Sequence, residues 1–440
     1  MTVGVTQNIE IWDNLAIFLS SLGNHVSPRQ SKPVIRRGYH THPFPMVPGD
    51  AMSDDDTIFN VTESHLDTGL RGIPVGTCQT SYVDPLEGVH YVGYPVADLV
   101  DLEEEDVIYL LLHKELPTPE QSEKFRAELI HRADSLPTGA LRVLESLTPG
   151  SGHPMDWLAI GIMALGTAEP TGDVRADSMN LIARMPELMA RVFLLRGGKK
   201  EQLKPRNPEL GLVENFVHML GIEGEEAKRM ERVLRFFFIL HMDHGGGNLS
   251  TFTGKAVASG RASVYSALSS AMNALSGPLH GRANQSVLEF VQRIGTSDPE
   301  EVSNFVNAEI DSRRPIYGFG HGVLRAEDPR ATLLIGLGQE ICPDDDLYKT
   351  VKVLREITPD ILKERIPKIS NPYPNVDLGS GTLLHSVGFR KPDYYTTFFG
   401  WARVAGICAQ ILDERSSREG RGTPIYRPKY IPKNQPHRRL

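Results

Sequence analysis

Residues 241–248 read HMDHGGGN, residues 277–284 read GPLHGRAN and residues 318–330 read GFGHGVLRAEDPR. Each segment sets a histidine (His244, His280 or His321) beside glycine, and each follows or interrupts an apolar run with helical spacing. Glycine lets backbone approach a ligand closely and exposes neighbouring N–H groups. One histidine beside a glycine is ordinary punctuation at a helix end. Three such sites, followed by the acidic PNVDLGSG at 374–381, imply polar groups from separate elements converging on one pocket.

Outward from these segments, helix signals dominate. The run 223–241 carries Phe237, Phe238, Leu240 and His241 just before the glycines, which are a C-terminal stop. Thr118-Pro119-Glu120-Gln121 is a capping box with proline at the first helical position, opening a helix through about Ala133. Residues 154–165 and 176–196 are apolar at helical spacing, and the Ala/Ser-rich run 260–275 suits a helix packed closely in a crowded interior. A helix is expected over 284–294, and Asp298-Pro299-Glu300-Glu301 caps one to about Ile310. DPRA at 328–331 starts another, 350–365 a further one, and 393–413 is apolar on most faces and must be buried. The strand signal is confined to 77–97, where β-branched and aromatic residues flank a DPLEG turn. Residues 1–70 read as an irregular leader, and His40-Thr41-His42 within it reads as a surface loop rather than half a metal site. No fixed-period repeat occurs. The expectation is an all-α, two-domain helical globule with a small β-hairpin near the N-terminus.

The 440 residues can bury a large core, and their 40% hydrophobic and 23% charged content is that of an ordinary globular protein. A net charge of −8 gives no global pull toward nucleic acid or an anionic membrane. No apolar run approaches the ~20 residues that span a bilayer. Three cysteines, far apart and without CxxC spacing, argue against a disulfide framework or a structural zinc site. The first residues carry Glu10 and Asp13, fitting neither a secretory signal nor an Arg-rich transit peptide, so a cytoplasmic location is expected.

The segments suggest chemistry of different kinds. His241 and His244 are i, i+3 with Asp243 between, which a zinc or iron site could use. No glutamate sits in a zincin arrangement and the glycines stop the helix, so the better account is a helix end facing an anion, without metal. His280 stands at the entrance to a helix, where a lowered pKa makes it a neutral hydrogen-bond donor; taken alone, a core histidine bonded to a carbonyl is the commoner reading. Gly318, Gly320 and Gly322 resemble a nucleotide-cradling loop, yet the spacing is not GxGxxG and no strand precedes it. Arg325 and Arg330 offer planar forks for carboxylate or phosphate. Asp377, in a proline- and glycine-bounded loop, reads as a helix cap or, if desolvated, a general base. Arg403, inside an apolar helix, must be paired or bind an anion.

Five ordered motifs, HMDHGGGN, GPLHGRANQ, GFGHGVLRAEDPR, NPYPNVDLGSG and WARVAGICAQ, resemble those of citrate synthases, over about residues 77–428 and nearest the eukaryotic-type branch. The resemblance implies a leader over 1–70, a large helical domain of 71–280 plus 391–440 that forms a dimer interface, and a small mobile helical domain of 281–390. It implies condensation of acetyl-CoA with oxaloacetate and water in the tricarboxylic acid cycle, with acetyl-CoA as co-substrate and no permanently bound cofactor. Asp377 is then the base, His280 the group stabilising the enol or enolate, and His321 the group polarising the ketone. His244, Arg330 and Arg403 hold the oxaloacetate carboxylates, and Arg427 reaches the partner's site in a homodimer. Arg325, Lys368 and the loop of Gly318 and Gly320 contact coenzyme A. Gly245, Gly322, Arg282 and Ser370 depart from the family's usual residues without removing a catalytic group. A 2-methylcitrate or longer alkylcitrate synthase is the close alternative. A metal-dependent hydrolase using His241, Asp243 and His244, or a helical scaffold with a basic tail over 415–440, is the remote one.

Overall fold

The computed structural model describes residues 59–431 apart from Asp134. They fall into two units, one ending at Pro74 and the other beginning at Val75. Of the first, residues 59–74 form a short 3₁₀ turn, Glu63–Asp67, with the Phe59 ring edge-on to His65. The His40–His42 pair and most of the expected leader lie outside the described residues.

The second unit opens with a sheet of three antiparallel strands, β1 (Ser81–Asp84), β2 (Gly88–Tyr91) and β3 (Tyr94–Pro95), in that order. Asp84 Oδ1 accepts the Leu86 and Glu87 N–H groups and closes the DPLEG turn. The sequence promises one hairpin; Val92 and Gly93, both at positive φ, turn the chain once more and add the third strand.

Fifteen α-helices follow among the described residues. The first seven are α1 (Glu104–His113), α2 (Pro119–Arg132), α3 (Thr138–Ser146), α4 (Pro154–Ala168), α5 (Val174–Arg196), α6 (Leu212–Met219) and α7 (Gly224–His241). The rest are α8 (Leu249–Ser259), α9 (Val264–Leu275), α10 (Ala283–Ile294), α11 (Pro299–Asp311), α12 (Pro329–Ile341), α13 (Asp346–Arg365), α14 (Asp377–Ser386) and α15 (Tyr395–Ser416). The capping signals read from sequence operate: Thr118 accepts from Gln121 N–H while Gln121 accepts from Thr118 N–H, and Asp298 accepts from the amides of Glu300 and Glu301. No described helix is long and apolar enough to cross a membrane.

Five helices, α1, α3, α6, α8 and α14, were not expected. The case of α14 corrects the reading of PNVDLGSG as a loop, since Asp377 is the first residue of a helix and Gly379 and Gly381 lie inside it. A Cβ at 381 would stand 2.7 Å from the Asn284 carbonyl oxygen, and one at 379 would stand 3.1 Å from Leu334 Cβ. Those glycines serve helix packing, letting α14 press against α10 and α12. Helix α9 begins at Val264 rather than 260, because Ser263 caps it and Arg261 takes a positive φ.

Helices α10 to α14 pack chiefly on one another and meet α7 and α15 along one side. Helix α15 is the axis of the remainder: every residue from Tyr395 to Ile411 is buried, and Phe398 packs against Phe193, Phe216 and Phe389. Its Gly406 faces the end of α7 so closely that a Cβ would lie 2.2 Å from the Met242 carbonyl oxygen and 2.8 Å from Asp243 Cβ. Gly406→Ala should therefore lower the urea midpoint, because overpacking costs about 1–3 kcal/mol and outweighs the roughly 1 kcal/mol of helix propensity that alanine adds. An unchanged or raised midpoint would show that the contact relaxes cheaply.

Candidate active site

Helix α7 stops at His241, so His241 and His244 do not share a helical face. The His241 ring turns into the core, stacked on Phe237 and edge-on to Phe399, with Nδ1 at 2.6 Å from the Phe237 carbonyl oxygen. Among the described residues the one group of three potential metal ligands with converging donor atoms is Glu103, Glu104 and Glu105, whose carboxylates pair with Arg235 through Glu103 and Glu104. The His241–Asp243–His244 ligand set therefore does not assemble.

The other expected groups do come together. His244, His280, His321, Arg330, Asp377 and Arg403 line one cleft of about 540 Å³, part of it open to solvent, with Asn248, Asn375 and Phe399. The His244 and His321 rings stand edge to face with centroids 5.5 Å apart.

His280 owes its state to a helix other than the one expected. The amide of Ser250, in the first turn of α8, donates to His280 Nε2 at 3.2 Å. An imidazole nitrogen that accepts an N–H is unprotonated, so the proton of neutral His280 is on Nδ1. Burial, reinforced by Arg403, pushes its pKa down to about 4. The helix end that meets His280 is that of α8, folded back in space, and not the α10 that follows in sequence, and burial rather than a helix dipole leads the shift.

His321 is fixed through its opposite nitrogen. The amides of Val323 and Leu324 donate to Nδ1 at 3.1 and 3.0 Å, leaving the proton on Nε2. Burial and then Arg330 push its pKa below the usual value. Gly318 and Gly320, at φ 85° and 82°, bring this loop against residues 373–375. Asn375 N–H donates to the Gly318 carbonyl, Gly320 N–H to the Tyr373 carbonyl, and Asn375 Nδ2 to the Gly320 carbonyl. Asn375 Oδ1 then accepts the Asp377 amide at 3.0 Å. One asparagine thus ties the His321 loop to the start of α14.

Arg330 and Arg403 are both buried, at 3% and 4% exposure. Arg330 makes a two-point pair with Asp328, through Nε at 3.1 Å and Nη2 at 2.7 Å. Arg403 Nε donates to the His241 carbonyl at 3.1 Å, and its buried Nη1 has no hydrogen-bond partner among the described residues. Burial first, then Arg330 and Arg403, holds His244 far below the ordinary histidine range. Burial pushes the Asp377 carboxyl up to about 6 against the opposing pull of Arg330. No hydrogen bond from a described residue reaches that carboxylate.

The remaining expected residues lie apart from the cleft. Arg325 is exposed and folds its guanidinium onto the Val323 and Leu324 carbonyls, Lys368 is exposed just past α13, and Arg427 is exposed beyond α15. None of the three lines the cleft. Sequence reading missed Asn248, Asn375, Phe399 and the counter-ion Asp328. Asn375 stood inside a quoted motif without a role, and Asp328 was read only as part of a helix start, which it caps.

A family model described as citrate synthase, C-terminal domain, matches residues 69–429. The chain belongs to the citrate synthase family. Mitochondrial citrate synthase of Citrus maxima is 35% identical over 404 residues, covering 84% of this chain and 83% of its own. Mitochondrial 2-methylcitrate synthase of Yarrowia lipolytica is 34% identical over 392 residues, covering 82% of each. Among solved structures, citrate synthase from Thermotoga maritima MSB8 has a TM-score of 0.72 at 31% identity, covering 84% of this chain and 96% of its own. Membership makes the chain an enzyme of transferase-type condensation. The cytoplasmic expectation is corrected, because relatives at 33–35% identity are mitochondrial or peroxisomal. The overall acidity of the first residues is a compositional average, and an address is read by a receptor rather than by composition.

The tautomers can be checked directly. Nitrogen-15 NMR should show His280 protonated on Nδ1 and His321 on Nε2 at pH 7, with His280 gaining its second proton only near pH 4. An imidazolium at either position at pH 7 would contradict the geometry.

Proposed function

We propose that this cleft condenses acetyl-CoA with oxaloacetate and water to give citrate and free coenzyme A. The observation that carries the reading is one carboxyl group near pKa 6 facing two neutral imidazoles whose protons are on opposite ring nitrogens. The acetyl methyl is a very weak carbon acid, and a lone carboxylate ionises it too slowly to be useful. Asp377 takes the methyl proton while His280 Nδ1–H donates to the thioester oxygen, so no free enolate charge accumulates. The new carbon nucleophile attacks the ketone of oxaloacetate, whose oxygen accepts from His321 Nε2–H. Water then cleaves the citryl thioester, releasing citrate and the thiol, so the acyl group ends as an alkyl substituent.

Arg330, Arg403 and His244 hold the oxaloacetate carboxylates in this scheme. Arg427, exposed and away from its own chain's cleft, would enter the cleft of a second copy in a homodimer. Arg325 and Lys368 would meet coenzyme A phosphates beside the Gly318–Gly320 loop. The mutual packing of α10 to α14 supports a smaller body over 281–390 that closes on 71–280 and 391–440, excluding water until condensation is complete.

A second reading keeps the chemistry and lengthens the acyl chain. Identities of 35% and 34% to a citrate and a 2-methylcitrate synthase do not separate the two. One methylene changes binding in an apolar pocket by only about 1–3 kcal/mol. Release of free thiol from acetyl-, propionyl- and butyryl-CoA at equal concentration decides between them, and acetyl-CoA is expected to give the highest kcat/KM.

Asp377→Ala should lower kcat by about 10²-fold or more and leave oxaloacetate affinity within a few-fold. Retained turnover would remove Asp377 from the role of base. The base acts only when ionised, so kcat/KM should fall as pH drops through about 6. His280, pushed down to about 4, stays neutral across that range. An acid limb that persisted unchanged in Asp377→Glu at low residual activity would point to another group.

A further inference from the structure

Three consecutive backbone N–H groups in the His244 loop are held by side chains. The Asp243 amide donates to Tyr91 Oη at 3.2 Å, the His244 amide to Asp243 Oδ1 at 2.8 Å, and the Gly245 amide to Ser81 Oγ at 2.8 Å. Tyr91 and Ser81 belong to the small sheet, so β1 and β2 grip the loop from one side.

Asp243 is fully buried, and no cation among the described residues is bonded to it. Besides the His244 amide it accepts Thr80 Oγ1 on Oδ2 at 2.5 Å and Gln410 Nε2 on Oδ1 at 2.8 Å. Gln410 is 2% exposed and sits on α15, two turns beyond Arg403. The loop is pressed onto this arrangement: a Cβ at Gly246 would fall 2.8 Å from Lys255 Nζ and 3.4 Å from Gln410 Oε1. The His244 ring, in contrast, has a buried Nδ1 with no hydrogen-bond partner among the described residues. Its orientation therefore rests on the backbone that carries it and on the edge-to-face His321 ring.

We propose that Thr80, Asp243 and Gln410 are positioning residues that act through this backbone to aim the His244 imidazole at a substrate carboxylate. The proposal rests on the reading of His244 as a carboxylate ligand. Asp243 is a hub: one oxygen is set by the sheet side and the other by α15, and the amide it holds belongs to His244 itself. Removing one donor from a buried carboxylate lets it rotate toward the others, and the loop follows. Because α15 also supplies Arg403, a single helix sets both a guanidinium and the histidine that share the anion.

The test is oxaloacetate affinity by calorimetry, without acyl-CoA, in the unmodified chain, Gln410→Leu, His244→Ala and the double variant. Gln410→Leu removes the donor at similar volume and should weaken binding about ten-fold, the size of one hydrogen bond to a charged group. In the His244→Ala background the same change should add less than about two-fold, because residues acting through one another are not additive. A merely structural role would weaken both backgrounds equally, and that result, or no effect in the unmodified chain, overturns the proposal. Unchanged affinity in His244→Ala alone overturns the reading of His244 and the proposal with it. Thr80→Val probes the hub from the sheet side and carries the same comparison if Gln410→Leu fails to fold.

Discussion

Two guanidiniums are buried on one cleft, and only Arg330 has a carboxylate, Asp328, bonded to it. Burying a cation without a partner costs several kcal/mol unless an anion or well-placed acceptors offset it. Arg403 has one carbonyl, that of His241, and an Nη1 with no protein acceptor among the described residues. Arg403 therefore presents an unsatisfied buried donor to the cleft. In the proposed reaction a substrate carboxylate would supply the acceptor that Arg403 Nη1 lacks. The same guanidiniums work on the histidines, where burial comes first and the arginines add to it, so that all three are neutral donors or acceptors rather than competing cations.

Placement of those groups depends on backbone approaching backbone. Gly318 and Gly320 allow the His321 loop to bond with residues 373–375, and Gly379 and Gly381 allow α14 to sit against α10 and α12. Gly406 allows α15 to cross the end of α7, which places Arg403 beneath His241 and Gln410 beside Asp243. Most of the glycines that marked the site in the sequence thus set contacts within the protein, and the ligand benefits indirectly. This changes the reading of Gly318 and Gly320, whose positive φ and two-sided hydrogen bonding already account for them before any coenzyme is considered.

Much of the fold was legible because its signals are local. Capping residues at Thr118, Asp298 and Asp328, and the apolar run of α15, each depend on a few neighbours along the chain. The convergence of His244, His280, His321 and Asp377 was legible too, because each histidine sits beside glycine between helices and Asp377 follows in a glycine-bearing segment. What was not legible is the identity of spatial partners. The amide that sets His280 comes from Ser250, thirty positions earlier, and the sheet that grips His244 lies more than 150 positions away. Helices α8 and α14 were missed because glycine and serine inside them read as loop, although close packing is what selects small residues there.

In the proposed reaction, the hydrogen bonds of His280 and His321 bear on which group would be the base. His280 accepts a backbone amide on Nε2, and His321 accepts two on Nδ1. Protonating either ring would destroy those bonds and add a cation beside a buried guanidinium, Arg403 for His280 and Arg330 for His321. Neither can serve as the proton acceptor near neutral pH. Asp377 has no such commitment, since no hydrogen bond from a described residue occupies its carboxylate. Its basicity is a balance of two opposed effects: burial raises it, which makes the carboxylate a stronger base than one in water, and Arg330 lowers it, which keeps it ionised at neutral pH. A value near 6 is where the two leave a carboxylate that is both charged and reactive.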